Sequence, residues 1–437
     1  MMFDMSICSP CLRSKQRDSG EVRLDPLVIT PTLPVTTGRD SQGVNRRLAL
    51  FLEALAEGDR PVRLLRLVPD QVVKEWEGQQ RRLNRIESEH WGHAVDVILV
   101  PRRSRTETFY NHYVQGSVSA ACQPSFFPFG GSAAVDAISR QLDGPAGLVF
   151  VHRLPAMCAV LQTGQRPSRM FFDLDDVEHR MRLRSVMQRP IWPGKLIYAA
   201  HIPALLSAER KGAALSRATF VCSERDRRHL LALGMRNVVT VPNAVRMPAA
   251  PSPLVPDPTM LFIGLMTYEP NIECVTRLVR RIMPLVWQTA PQARLIVAGN
   301  GSDALPRASS ADARIEYLGF VPDLDELYAR TRIVCCPMIN GGGTRVKLIE
   351  AAAYGKPIVA TGVGAEGLAF CHNEEFLLHD DDAALAEACA RLLVDDALCI
   401  RLGSSARLRM QSLYDSSSIS REIRQVLKRP DGEERNP

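Results

Sequence analysis

The chain has 437 residues, 46 % of them hydrophobic and 23 % charged, with a formal net charge of +6. That length exceeds one typical core and suits two domains of about 200 residues each; without a run of about 18 apolar residues, no membrane-spanning helix is expected. The charge suits an anionic ligand or membrane surface but is too mild to argue for nucleic acid.

The N-terminus, MMFDMSICSPCLRSKQRDSG, lacks the basic-then-apolar order of a signal peptide, so a cytosolic location is expected. Residues 1–22 read as a disordered tail. Cys8 and Cys11 have metal-ligand spacing but no second pair nearby, so no zinc is expected there. The other cysteines are scattered; Cys222, Cys335 and Cys336 fall in apolar runs, where they act as small buried hydrophobes.

From Asp25 strands and helices alternate. Predicted strands are Leu27 to Thr30, Val62 to Val68, Val95 to Pro101, Leu148 to His152, Met170 to Leu174, Phe220 to Ser223 and Val238 to Pro242. They are short apolar runs without clean alternation, as expected of strands buried on both faces. Helical patterns lie between them, including Val44 to Ala56 and Leu196 to Arg217. His152 follows a strand and reads either as a core histidine or as one facing a cleft. Arg180, Arg182, Arg184 and Arg189 crowd one segment with Met181, Leu183 and Val186. That is either a solvated arginine-rich helix or a dock for anionic lipid. Glu209 lies in the helix before Ala218, facing inward or pairing with basic neighbours.

Met247 to Pro258, MPAAPSPLVPDP, holds five prolines in twelve residues and forms neither helix nor central strand. It marks the domain boundary. Beyond it the plan repeats, with strands at Met260 to Gly264, Leu295 to Ala298, Ile315 to Leu318, Ile333 to Met338, Ile358 to Thr361 and Phe376 to Leu378. Helices are expected at Ile272 to Gln288 and Ala383 to Leu393, and a serine-capped one at Ser416 to Leu427. Alternation of this kind implies doubly wound parallel sheets, with a ligand cleft at the strands' carboxyl ends. VAGNGSDAL, Val297 to Leu305, resembles part of a dinucleotide fingerprint but lacks its third glycine and its acidic partner.

The stretch after Ile333 is the most informative. A buried strand runs into Gly341, Gly342 and Gly343, then into a helix that Gly355 stops, with Pro357 following. Glycines let backbone lie close to a ligand, and the helix mouth offers free N–H groups and a positive dipole end. Together these suit a phosphate. Lys347 and Glu350 share one helix face, and Glu350 falls roughly 10 Å beyond the glycines. That is the span from a diphosphate to the far side of its ribose. Arg345 and Lys347 would supply charge. The alternative is a plain packing turn with a surface ion pair.

On these motifs the chain resembles the retaining family 4 glycosyltransferases of the GT-B fold, more narrowly the bacterial transferases of exopolysaccharide and capsule synthesis. The resemblance runs from about Leu148 to Tyr414, through FFDLDDVEHR, AERKGAALSRATFVCSERDRRHL, VTVPNAV, FIGLMTYEPNIE, RLIVAGNG, IEYLGFVPDLDELYA and the glycine segment. It implies an α/β GT-B architecture of two Rossmann-like domains facing across a cleft. The units are a tail (1–22), an acceptor domain (23–246), a linker (247–258), a nucleotide-sugar domain (259–415) and a closing helix with a loose tail (416–437).

The resemblance also implies site roles. Gly264 lies beside the diphosphate, Phe320 and Val321 hold the base, and Gly342, Gly343, Thr344 and Arg345 lie at the phosphates. Glu350 holds the ribose. Gly38 and Gly43 form a glycine loop facing donor sugar and acceptor. Two departures stand out. Relatives commonly carry two glutamates flanking seven residues, and the first position here is Gly342. The usual Arg and Lys after the first nucleotide-domain strand are replaced by Leu265, Met266 and Asn271, so Arg345 and Lys347 are expected to stand in. Asp175 and Asp176 take the place of a His-Asp pair. They either stabilise positive charge at the anomeric carbon and share a proton with the acceptor, or cap the next helix or pair with Arg180.

The expected activity is retaining transfer from a nucleotide diphosphate sugar to a carbohydrate or lipid-linked acceptor. No cofactor is expected, and no metal, since the only Asp-x-Asp at a strand end is Asp173-Leu174-Asp175. Peripheral contact with the inner face of the membrane is a further expectation. Two alternatives remain open: a GT-B-like UDP-sugar epimerase, and a non-catalytic scaffold.

Overall fold

The computed structural model describes residues 25–35, 42–56, 58, 60–102, 132–144, 147–187, 193–305, 312–341 and 344–429, without the side chains of 42–44 and 197. Two parallel sheets organise them. The first holds seven strands in the order β3-β2-β1-β4-β5-β6-β7, the second six in the order β10-β9-β8-β11-β12-β13. In the first, β1 is Leu27–Thr30, β2 Val62–Val68, β3 Val95–Pro101, β4 Val149–His152, β5 Met170–Asp175, β6 Ala218–Val221 and β7 Val238–Thr240. In the second, β8 is Thr259–Ile263, β9 Arg294–Ala298, β10 Ile315–Gly319, β11 Ile333–Cys336, β12 Ile358–Ala360 and β13 Leu377–Leu378.

Alternate strand residues feed two different packing layers. In the first lobe, Leu27 and Ile29 join one apolar cluster and Val28 the other. Phe51, Phe150 and Phe220 centre the second cluster, with ring centroids 4.5 and 5.2 Å from Phe51. Strand order reverses between β1 and β4 and again between β8 and β11. Those are the switch points where open parallel sheets bind ligands.

Several predicted elements differ in detail. The helix expected over Leu196 to Arg217 is two, Lys195–Ala200 and Ile202–Leu215, broken at His201. Pro203, lacking a backbone N–H, sits in the first turn of the second, where none is needed. The helix expected over Ile272 to Gln288 runs as Glu269–Arg277, a π-turn Leu278–Ile282, then Met283–Thr289, with Pro284 opening the last piece. β6 ends at Val221 because Ser223 turns to cap the helix Glu224–Ala232, accepting from the Asp226 amide. Asp415, not a serine, caps the last helix, Ser416–Leu427.

That last helix returns to the first lobe. Ile419, Ile423, Val426 and Leu427 enter the same cluster as Leu48, Phe51 and Leu52 of the helix Gln42–Leu55. Arg424 also donates to the Glu53 carbonyl at 2.7 Å. Where the chain leaves and re-enters the first lobe its two passages are bonded together. The Val245 amide donates to the Tyr414 carbonyl, and the Ser416 amide to the Val245 carbonyl.

Candidate active site

The second lobe offers a mouth built by glycines at the ends of β8, β9 and β11. A Cβ on Gly299 would lie 2.0 Å from the Gly264 carbonyl oxygen, and Gly299 has φ +121°; its part in VAGNG is thus close loop packing. A Cβ on Gly264 would lie 2.9 Å from Lys347 Nζ and one on Gly341 2.9 Å from Arg345 Nη2. Gly341 has φ +127°, a backbone state that favours glycine. Five residues on, the helix Val346–Ala353 begins without a side-chain cap, so its first-turn amides face the mouth.

Lys347 Nζ donates to Asn271 Oδ1 at 2.8 Å and stands 4.2 Å from the centre of the Phe262 ring. Burial pushes its pKa below the ordinary lysine value. Asn271 is one of the replaced basic positions, so this ammonium is delivered to the same place from a different helix. Thr344 and Arg345 are both buried beside it.

The first lobe presents a carboxylate cluster at the ends of β4 and β5. Arg153 and Asp175, both non-glycine, adopt φ values of +71° and +60°. Backbone strain of this kind concentrates at functional sites. The register between β5 and β6 slips between Asp173 and Asp175, an irregularity of the kind found beside active sites. Asp173 instead points inward. It accepts from Arg47 Nε at 3.0 Å and Nη2 at 2.5 Å, and Arg47 also donates to the Val241 carbonyl at 2.8 Å. Burial raises the Asp173 pKa to about 6 despite that pair. His152 is wholly buried, with Nδ1 3.0 Å from Thr30 Oγ1, and burial drives its pKa down to about 3; it is a neutral core histidine.

Asp175 is flanked by Arg47 at 3.4 Å and Arg153 at 3.7 Å. Burial works against its ionised form, but these two guanidiniums outweigh it and keep the pKa low. The weak Asp-x-Asp therefore has both carboxylates committed to arginines. Asp176 is different. Burial and the neighbouring Asp175 raise its pKa to about 7, with Arg153 and Arg345 pulling the other way. The charge of Arg345 in the second lobe thus reaches Asp176 in the first.

Glu350 is buried, and burial raises its pKa. Arg46 reaches from the opposite lobe to place Nη1 2.6 Å from Glu350 Oε1. Beneath the pair, Tyr328 stacks on Tyr354 with centroids 4.2 Å apart, and the Tyr328 hydroxyl is buried without a hydrogen-bond partner among the described residues. The expected ribose carboxylate is therefore taken by protein in this structure. Phe320 and Val321 follow β10 at its carboxyl end, and Phe320 is 61 % exposed.

Gly38, Gly342 and Gly343 lie outside the described residues, as do Arg189, Cys8 and Cys11. Gly43 stands in the first turn of the helix Gln42–Leu55, not in a loop. Of the arginine-rich segment offered as a lipid dock, Leu183 and Met187 are exposed while the described arginines have protein partners. Arg180 and Arg184 turn toward Glu366 of the second lobe, and Arg182 stacks over Tyr198 at 5.0 Å. Glu209 faces inward, accepting from the His179 amide at 3.1 Å and from its ring. Sequence reasoning missed Arg46, Arg47, Arg153 and Glu366. The signal for Arg47 was a charged residue breaking an apolar helix face; Glu366 stood in plain view in the loop after β12.

Two lobes of parallel sheet facing across a cleft, with a glycine-lined helix mouth on one side and a carboxylate cluster on the other, define the GT-B class of transferase fold. Residues 257–395, most of the second lobe, match the family model for Glycosyl transferases group 1. A cps-region protein of Klebsiella pneumoniae, described as an uncharacterized 44.6 kDa protein, is 26 % identical over 37 % of this chain and 43 % of its own. The phosphatidyl-myo-inositol mannosyltransferase of Mycobacterium leprae is 27 % identical over 38 % of this chain and 46 % of its own. The matches thus span less than half of either relative. In fold, HepE of Anabaena, solved with UDP and glucose, superposes with TM-score 0.61 at 13 % identity, covering 92 % of this chain and 99 % of its own.

Proposed function

We propose that the chain transfers a glycosyl group, with retention, from a nucleoside diphosphate sugar to a hydroxyl of a carbohydrate or lipid-linked acceptor in surface polysaccharide synthesis. The observation that carries this is the helix mouth of Val346–Ala353, uncapped and lined by Gly264, Gly341, Arg345 and Lys347, in a lobe that matches the group 1 glycosyl transferase model, with the Asp175–Asp176 cluster of the other lobe within reach of the Arg345 charge. The similar chains from a capsule region and from a mannosyltransferase, and the UDP and glucose in HepE, support that direction.

In this reading the diphosphate sits on the first-turn amides of Val346–Ala353 with Arg345 and Lys347, whose fixed charges and dipoles stabilise the leaving group. Gly264 and Gly341 leave the space it needs. Glu350 accepts from the ribose hydroxyls once Arg46 withdraws, and the base lies by Phe320 and Val321. Asp175 stays ionised near the anomeric carbon, while Asp176, titrating near neutrality, exchanges a proton with the acceptor hydroxyl. Lobe closure excludes water and aligns the partners. No metal is assigned a role: the charge at the leaving group comes from the protein.

The test is product analysis by NMR with a panel of UDP-, GDP- and ADP-sugars and a glycoside acceptor, with and without EDTA. A new α- or β-linkage of the donor's configuration, unaffected by EDTA, is expected. Release of an altered sugar without acceptor would identify an epimerase, and absence of nucleotide binding a scaffold; either would overturn the proposal. Loss of turnover on chelation would overturn the metal-free mechanism.

A further inference from the structure

Three arginines of the first lobe converge on one carboxylate of the second. Glu366, in the loop after β12, has Oε2 2.5 Å from Arg184 Nη1 and Oε1 2.7 Å from Arg184 Nη2, a two-pronged pair. Arg180 Nη2 lies 3.4 Å from Oε1, and Arg225 makes a further contact with the same oxygen. Arg180 and Arg184 come from the helix Glu178–Met187, and Arg225 from Glu224–Ala232. Among the described residues, the only other acid lining the pocket is Asp226, 2.7 Å from Arg180 Nη1. Val177 and Met181 form its apolar wall.

Everything that makes this pocket cationic belongs to one lobe, and the anion that fills it belongs to the other. When the lobes part, Glu366 leaves and three guanidiniums face a single carboxylate. The pocket lies on the helix that follows the Asp175–Asp176 cluster, so a group bound there extends from a molecule seated at the reacting face. Planar guanidinium forks suit carboxylates and phosphates alike.

We infer that Arg180, Arg184 and Arg225 form a subsite for an oxyanion, a carboxylate or phosphate carried by the acceptor, and that Glu366 is its internal stand-in when the lobes are closed. Only the word acceptor rests on the transferase reading; the anion site stands without it.

The test is a saturation-transfer NMR titration of the full chain with glucuronate, glucose 6-phosphate and glucose, in wild type, Arg184→Gln, Arg225→Gln, Glu366→Gln and Arg345→Gln. At least one anionic sugar is expected to bind in preference to glucose. Arg184→Gln should weaken that binding by about tenfold or more, and Arg225→Gln by a smaller factor in the same direction. Glu366→Gln should strengthen it several-fold (roughly 3- to 10-fold), because the internal competitor is gone. Opposite signs for the two sides of the clasp are the signature, since a purely structural clasp would respond alike to both. Preference for glucuronate assigns a carboxylated acceptor and preference for glucose 6-phosphate a phosphorylated one. Equal binding of glucose, no binding to Glu366→Gln, or no effect of Arg184→Gln and Arg225→Gln would overturn the subsite. Binding lost only in Arg345→Gln would also overturn it, while leaving the diphosphate site intact.

Discussion

Arg46 and Glu350 are joined across the cleft at 2.6 Å, an ion pair between the first-lobe helix Gln42–Leu55 and the second-lobe helix Val346–Ala353. The carboxylate suited to a ribose therefore has a resident competitor. Arg46→Gln is expected to raise the affinity for UDP or GDP by about three- to tenfold, since the ligand no longer displaces a charged partner. Glu350→Ala should lower it about tenfold. Calorimetry decides both; unchanged nucleotide affinity in Glu350→Ala would remove the ribose assignment.

Asp176 titrates near 7 because burial and Asp175 disfavour its charge. The sign follows from the raised pKa. The folded state holds the proton more tightly than the unfolded one, so the favourable contribution is full below about pH 4 and is lost as pH rises through about 7. Asp176→Asn should therefore stabilise the protein relative to wild type at pH 8 by about 1 kcal/mol or more, and hardly at all at pH 4. Paired thermal melts at the two pH values check it; equal shifts would refute the raised pKa.

Lys347 sits in the mouth with its ammonium on Asn271. On the proposed mechanism Lys347→Met removes a charge that stabilises the leaving diphosphate, so kcat/KM should fall about 100-fold or more. Because the ammonium is buried at a cost, stability should change little or rise. A large loss of stability with normal turnover would mark Lys347 as a packing residue.

The Arg47–Asp173 pair is buried on both sides. Arg47→Leu leaves a bare buried carboxylate and should cost about 3–5 kcal/mol, whereas Arg47→Leu with Asp173→Leu should recover much of it. Urea unfolding of the three variants gives the coupling; additive costs would show that the pair does not act as a unit.

Gly299 has neither the space nor the backbone angle for a side chain, with the Gly264 carbonyl 2.0 Å from a built Cβ. Gly299→Ala should destabilise by about 2–4 kcal/mol and lower nucleotide affinity, because the displaced loop carries Gly264. A melt unchanged from wild type would contradict the packing.

Much of the architecture could be read from the chain because buried parallel strands leave continuous apolar runs. The strands predicted at Val62 to Val68 and Val95 to Pro101 match β2 and β3 residue for residue. The helix starts were harder. Ser223 caps from a position read as strand, and Asp415 caps the last helix where a serine was expected, since a cap is a side-chain geometry and not a periodicity. The glycine mouth was legible because glycine has few other reasons to cluster after a strand. The partners across the cleft were not: Arg46 and Glu350 are paired only because two separately folded lobes meet, and local sequence carries no record of that distance.

The chain passes between the lobes twice, and the two passages are stitched together at Val245, Tyr414 and Ser416. A joint of that kind behaves as a door hung on paired straps. It swings readily about one axis and resists shear and twist, because either motion would tear the straps apart. The final helix grips the very helix that carries Arg46 and Arg47. Deleting it would therefore do more than shorten the protein: the moving jaw would lose its alignment, and the arginine that meets Glu350 would no longer arrive in register.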